Sequence, residues 1–216
     1  MKSTITEQSA LLLANGTPCS DGLLREMFAR HSLVIALDGA FLKLREHGLL
    51  PHIVTGDFDS LPDYRALARK YPLVPFIRNE DQDSTDLEKG LELALSKGIT
   101  RADILWATGA RADHYYANLS NMVRYSGRMD LRLLDDHSVV YRLPRHFEKE
   151  FRAGQVISLL PMGRVEGITT RNLKYALNNE TLEIGGRIGT SNEVEANGPV
   201  VITHASGCLL LAECRD

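Results

Sequence analysis

Cysteine is scarce: Cys19, Cys208 and Cys214 are the only three in 216 residues. An odd number with no metal-ligand spacing excludes a disulfide framework and a cysteine-built metal site, and reduced thiols fit a cytoplasmic protein. Long apolar runs are missing too. None approaches the roughly 20 residues a membrane helix needs, and Met1-Lys2-Ser3-Thr4 opens no secretory signal. The expectation is therefore a chain with no membrane partner. Excess positive charge is also lacking, since 25 Lys and Arg against 28 Asp and Glu leave a formal net charge of -3. That argues against nucleic acid as a partner held by bulk charge, so an anionic ligand needs local help. Repeats and low-complexity segments are absent. What remains is an ordinary globular composition, 44% hydrophobic, in a chain long enough for two modest domains.

Up to residue 136, strand-like and helix-like runs alternate. Ala10–Ala14, Leu33–Leu37, Ile53–Thr55, Leu73–Ile77, Asp103–Ala107 and Leu131–Leu134 are short apolar runs that end in turn residues, with Pro75 favouring an edge position for the fourth. Between them, Ser20 caps a helix that buries Leu23, Leu24, Met27 and Phe28, and further helices are expected over about Phe41–His47, Pro62–Lys70 and Asp113–Tyr125. The best-signalled helix follows Thr85, which has capping-box spacing to Glu88 and leucines at 87, 91 and 95. This alternation predicts an α/β domain over 1–136 with a mainly parallel sheet and helices on both faces. From 137 to 216, helical periodicity gives way to short β-branched runs punctuated by Gly and Asn. An all-β sandwich or small barrel is expected there.

Gly56-Asp57-Phe58-Asp59-Ser60 follows the third strand. In extended backbone, Asp57 and Asp59 point to one face while Phe58 turns away, giving a two-carboxylate claw suited to magnesium or manganese. Read alone, Asp59 or Ser60 equally caps the next helix. Three other strand ends also carry polar groups: Asp38; Gln82-Asp83-Ser84-Thr85-Asp86; and Gly109-Ala110-Arg111-Ala112-Asp113-His114. Parallel strands put such loops on one rim, where open sheets bind ligands. One shared metal-phosphate site is the economical reading, although Asp38, Asp86 and Asp113 each also suit a helix cap. The positive end of the helix after Thr85 suits phosphate oxygens, and Arg111 can grip two of them. The Gly109 loop matches neither common glycine-rich phosphate motif. His114 reads as a base or, more commonly, as a hydrogen-bonded structural group. In the β domain, Gly189-Thr190-Ser191-Asn192-Glu193 packs hydroxyls, an amide and a carboxylate into one turn, with Tyr175 nearby.

Taken in order, these strings resemble the thiamine pyrophosphokinase family over nearly the whole chain. The matching segments are Asn15-Gly16, Asp38-Gly39-Ala40, Gly56 to Ser60, Asp81 to Asp86, Gly109 to His114, Gly167 to Leu177 and Gly189 to Glu193. The resemblance implies transfer of a pyrophosphoryl group from ATP to the hydroxyl of thiamine, releasing AMP. It further implies an α/β domain that carries ATP and magnesium, and a β-sandwich that helps form the thiamine pocket across a homodimer interface. By the same resemblance, Asp57, Asp59 and Asp86 are the metal and phosphate carboxylates, and Arg111 and Asp113 complete the catalytic set. Asp38, Gln82, Asp83, Thr85, Gly109 and His114 fall to the nucleotide side. Tyr175, Thr190, Ser191 and Asn192 fall to the thiamine pocket, with Tyr175 standing where animal members have Trp. Ala110 occupies a place where many members have a second glycine, and Leu37 one where Ala is usual. The residues alone also fit a metal-dependent nucleotide phosphohydrolase or a nucleotide-binding module without turnover.

Overall fold

The computed structural model describes residues 9–61 and 63–215, so the expected helix start at Pro62 lies outside the described residues. The chain divides into two compact units, the second taking the chain from Asp136 together with Met122–Ser126.

In the first unit, six strands run parallel: β1 (Ala10–Leu13), β2 (Leu33–Leu37), β3 (Ile53–Gly56), β4 (Phe76–Arg78), β5 (Arg101–Leu105) and β6 (Asp130–Leu134). Their order is β6-β5-β1-β2-β3-β4. The connecting helices are α1 (Asp21–Arg30), α2 (Ala40–Glu46), α3 (Tyr64–Lys70), α4 (Asp86–Ser96) and α5 (Ala112–Arg124), the last of which ends within the second unit. Every residue of β1 and β3 is buried, as strands covered on both faces require. α4 packs on β1, β2 and β3 through Leu87, Leu91 and Ala94, each buried leucine contributing about 1.5–3 kcal/mol relative to exposure. The chain moves outward from β1 to β4, then returns to lay β5 on the other side of β1. The gap between β1 and β5 is the topological switch point, where sheets of this kind take ligands.

Local differences from the sequence pattern have physical reasons. The fourth strand starts at Phe76 rather than Leu73, and Leu73 is 94% exposed. Pro75 fixes its own φ and restricts Val74, so regular pairing begins only beyond it. Its edge position is as expected. α3 takes its cap from Asp63, whose carboxylate accepts the Ala66 N–H, and not from Asp59 or Ser60. β5 starts two residues early, at Arg101, and stops at Leu105 because Trp106 turns to φ 59°.

The second unit holds β7 (Ser138–Arg142), β8 (His146–Phe151), β9 (Val156–Pro161), β10 (Arg164–Arg171), β11 (Glu180–Glu183), β12 (Gly189–Glu193), β13 (Gly198–Thr203) and β14 (Leu209–Cys214). They form two antiparallel layers, β12-β9-β14-β7 and β11-β10-β13-β8. Ile157, Leu159, Leu209 and Leu211 from the first layer share one core with Val165, Ile168, Leu182, Val200 and Ile202 from the second. That shared core makes the unit a sandwich. Among the described residues, no helix is long and apolar enough to cross a membrane.

Candidate active site

Because β1 to β5 are parallel, the loops at their carboxyl ends meet on one rim, where they enclose a cleft of about 610 Å³. Three carboxylates converge in it. Asp38 follows β2, Asp57 follows β3 and Asp86 opens α4, and one ligand oxygen of each lies within 4.8 Å of the others. Asp38 is only 2% exposed, and among the described residues its Oδ1 is buried without a hydrogen-bond partner. Burial pushes the Asp38 carboxyl above its ordinary range, and the charges of Asp86 and Asp59 push it further. Burial likewise raises Asp86, with Lys89 opposing and Asp57 and Asp59 reinforcing the rise. An orphaned buried oxygen among crowded carboxylates is the donor set that a hard divalent cation satisfies. The residues fit such an ion.

Asp59 lines the same cleft but lies outside that tight trio. The expected strand-like alternation fails at Phe58, whose φ is 67°. Its ring is buried and packs on Tyr64 at 4.8 Å and Phe76 at 6.0 Å, so core packing turns the peptide. The claw is thus a turn, in which the Asp59 N–H donates to Asp57 Oδ1 at 3.1 Å and Asp59 accepts the Ser60 hydroxyl at 3.0 Å. Asp38, from the neighbouring strand end, takes the third corner.

α4 begins with the expected capping box: Thr85 Oγ1 accepts the Glu88 N–H at 3.3 Å, and Glu88 Oε2 accepts the Thr85 N–H at 2.8 Å. Thr85 and Asp86 line the cleft, so the positive end of the α4 dipole is presented to it. Gln82 and Asp83 are exposed and are not among the residues lining the cleft; the Gln82 amide donates to the Glu80 carbonyl instead. One residue missed in the sequence belongs here. Lys89 has a side chain only 3% exposed, with Nζ 3.4 Å from Asp86 and 3.7 Å from Asp57. Its signal was its place three residues after Asp86, on the same helical face.

The loop after β5 brings Gly109, Ala110, Arg111, Asp113 and His114 to the opposite side. Gly109 has φ 70°, and a Cβ there would lie 2.1 Å from Thr17 Oγ1, so only glycine fits. Ala110 and Trp106 also hold left-handed backbone, at φ 53° and 59°. Arg111 is largely exposed and pairs through both Nε and Nη2 with the two Asp113 oxygens, at 3.1 and 2.5 Å. That hydrogen bonding is the largest influence holding Asp113 down at about 2. Trp106, also unmarked in the sequence reading, lines the cleft with its indole Nε1 buried and without a partner among the described residues.

In the sandwich, Tyr175, Thr190 and Ser191 are exposed, while Asn192 is 5% exposed beneath them. Pairing between β12 and β9 slips between Gly189 and Asn192, and Ser191 adopts φ 56°. Asn192 acts as a bracket. Its Oδ1 accepts the Tyr175 N–H at 3.1 Å and its Nδ2 donates to the Tyr175 carbonyl at 2.8 Å. The amide holds the tyrosine segment in place, and Tyr175, Thr190 and Ser191 present the outward groups.

A parallel α/β unit with a carboxylate trio, a buried lysine and an exposed arginine at its switch point has the architecture of a doubly wound ligand-binding domain, and a β-sandwich follows it in the chain. Kinship narrows that class. Residues 24–133 match the thiamin pyrophosphokinase catalytic domain, and residues 145–209 match the thiamin pyrophosphokinase vitamin B1 binding domain; the chain belongs to the thiamin pyrophosphokinase family. It is 29% identical over 196 residues to the thiamine pyrophosphokinase of Bacillus subtilis, covering 86% of this chain and 89% of that one. With a Caenorhabditis elegans thiamin pyrophosphokinase the identity is 28%, over 96% of this chain and 90% of the relative. The solved Bacillus subtilis thiamine pyrophosphokinase superposes with a TM-score of 0.83 at 25% identity, covering 97% of this chain and 100% of that one. The Candida albicans protein, at 16% identity and a TM-score of 0.85, shares the fold.

Proposed function

We propose that this protein transfers the pyrophosphoryl group of ATP to the hydroxyl of thiamine, giving thiamine pyrophosphate and AMP. The observation that carries the reading is the convergence of Asp38, Asp57 and Asp86 at the switch point of a unit that matches the family's catalytic domain. The thiamine hydroxyl oxygen forms a bond to the β-phosphorus and gives its proton to water, the bond from that phosphorus to the α,β-bridging oxygen breaks, and AMP leaves with the bridging oxygen. Little covalent work falls to the protein. Its residues orient the chain of phosphates and offset charge as it builds. Asp38, Asp57 and Asp86 would hold a magnesium ion, with Asp59 as a neighbouring carboxylate. Bound there, it would neutralise polyphosphate charge and polarise the phosphorus being attacked.

Lys89 supplies a fixed cation beside those carboxylates. Arg111 leaves its exposed pairing with Asp113 at little cost, because such surface pairs contribute only about 0–1 kcal/mol, and grips phosphate oxygens in its place. Before phosphate binds, the Arg111 pairing holds Asp113 ionised, at about 2, and keeps the guanidinium beside the cleft. Residues 1–136 form the nucleotide domain in this reading, and 137–216 the thiamine domain, with Tyr175 offering an aromatic face and Thr190 and Ser191 offering hydroxyls. A homodimer that completes the thiamine pocket belongs to the same reading. It is supported by the exposed apolar surface of Tyr175, Ile184 and Ile188. A cytoplasmic location fits Cys19, Cys208 and Cys214, all of which are thiols. With ATP labelled at the β-phosphorus, the label is expected in thiamine pyrophosphate. Label recovered in ADP or free phosphate contradicts the reading.

A further inference from the structure

The loop that follows β1 forms one wall of the cleft through Asn15 and Gly16, and it is gripped from two sides. On the β5 side the grip is through its amides: the N–H groups of Ala14, Gly16 and Thr17 donate to the carbonyls of Leu105, Trp106 and Thr108 at 2.9, 2.7 and 3.0 Å. On the other side stands Lys43, in the middle of α2. Its Nζ donates to the Asn15 carbonyl and to the Gly16 carbonyl, both at 2.8 Å. Asn15 also lies against the start of α2, where a Cβ on Gly39 would come within 2.6 Å of its Nδ2. Lys43 is half-buried, and burial lowers its pKa; its ammonium has exchanged hydration for two carbonyl oxygens. Without that cation, two carbonyl dipoles beside a polyanion site would lose their donor on the α2 side, leaving the loop held from the β5 side alone and its negative carbonyl ends uncompensated near the phosphates.

Resting on the reading that this cleft takes ATP, we propose that Lys43 is a positioning residue for the nucleotide: it clamps the Asn15–Gly16 wall so that ATP meets a set surface. It touches no reacting atom, and its effect should fall on ATP affinity and spare both chemistry and thiamine.

The test compares Lys43→Met, which keeps the stem and removes the charge, with Lys43→Arg, which restores donors. Trp106 is the only tryptophan and lines the cleft, so its fluorescence reads magnesium-ATP binding directly, alongside steady-state rates and melting curves. Losing one charged donor to two partly exposed carbonyls should weaken ATP about tenfold in Kd and KM, with kcat and thiamine KM within about twofold and Tm nearly unchanged. Lys43→Arg should recover most of the loss. Unaltered ATP affinity in Lys43→Met overturns the proposal. So does a joint loss of ATP affinity, thiamine affinity and Tm that arginine does not rescue, because that marks a purely structural lysine. Wild-type protein that binds ATP but makes no thiamine pyrophosphate contradicts the proposed reaction alone, and the ATP Kd values still decide the role of Lys43. Wild-type protein that binds no ATP sinks both.

Discussion

At Asp38, stability and function pull in opposite directions. The residue is buried, holds a left-handed backbone at φ 46°, and leaves one carboxylate oxygen without a partner among the described residues, beside Asp57 and Asp86. Asparagine tolerates that backbone and removes one of the crowded charges. Asp38→Asn should therefore stabilise the metal-free protein by about 1 kcal/mol, or roughly 2–4 °C in Tm, while lowering turnover about a hundredfold. Melting curves in a chelator and rates in magnesium check both halves, and a lower chelator Tm contradicts the account. Ala110 is a cleaner case of strain. An alanine at φ 53° costs about 1–2 kcal/mol in the folded state, of which glycine's freer unfolded chain returns about 0.4–1. Ala110→Gly should stabilise by about 0.5–1 kcal/mol with turnover nearly unchanged, as read by denaturant midpoints. These acids were legible in the sequence as strand-end groups. That Asp38 and not Asp59 completes the trio was not, because the reversal depends on Phe58 being drawn into a core with Tyr64 and Phe76.

Helix starts were the most legible elements, since a cap acts over three residues. The Thr85 and Glu88 box stands as its spacing foretold, and Thr85→Ala should cost about 1 kcal/mol in a denaturant titration. Less visible was the lock joining α1 to β5 and β6, built from residues far apart in sequence. His31 Nδ1 sits 2.7 Å from the Met27 carbonyl and Nε2 3.0 Å from Asp103, which also accepts both Nε and Nη2 of Arg132 at 2.7 and 2.6 Å. Both ring nitrogens face acceptors, so the imidazolium is the form that satisfies them. Burial works against that charge, but the Asp103 hydrogen bond, the Met27 carbonyl and the Asp103 charge together outweigh it, and the His31 pKa is raised. Burial also works against the Asp103 charge, yet hydrogen bonds from His31 and Arg132 hold its pKa down. The signs follow from linkage. The His31 contribution is complete below its ordinary 6.5 and is lost as pH rises through its raised value; the Asp103 contribution is present above 3.8 and is lost as pH falls through its lowered value. The stability gap between wild type and His31→Leu should therefore shrink from pH 6 to pH 9, and a gap that stays constant contradicts a charged His31.

For the molecule as a whole, the change from helical periodicity to turn-punctuated β runs near residue 137 announced a second kind of structure, and a sandwich with one shared core stands there. The strand order β6-β5-β1-β2-β3-β4 left no local trace. It is what brings the loop after β1 beside the loop after β5, and so explains why Lys43 and Trp106 carried no visible signal while the acids at the strand ends did. A cation that binds the folded trio and not the unfolded chain must stabilise the fold. Magnesium at a hundredfold excess over its Kd should add about 2.7 kcal/mol, and Asp57→Asn should abolish that gain; an unchanged magnesium shift in the variant contradicts a metal role for the carboxylate. The central claim is met most directly by incubating the purified protein with thiamine, ATP and magnesium and resolving all products over time. AMP and thiamine pyrophosphate should rise in equal amounts, and only when thiamine is present. ADP in place of AMP, or ATP breakdown that ignores thiamine, would contradict pyrophosphoryl transfer.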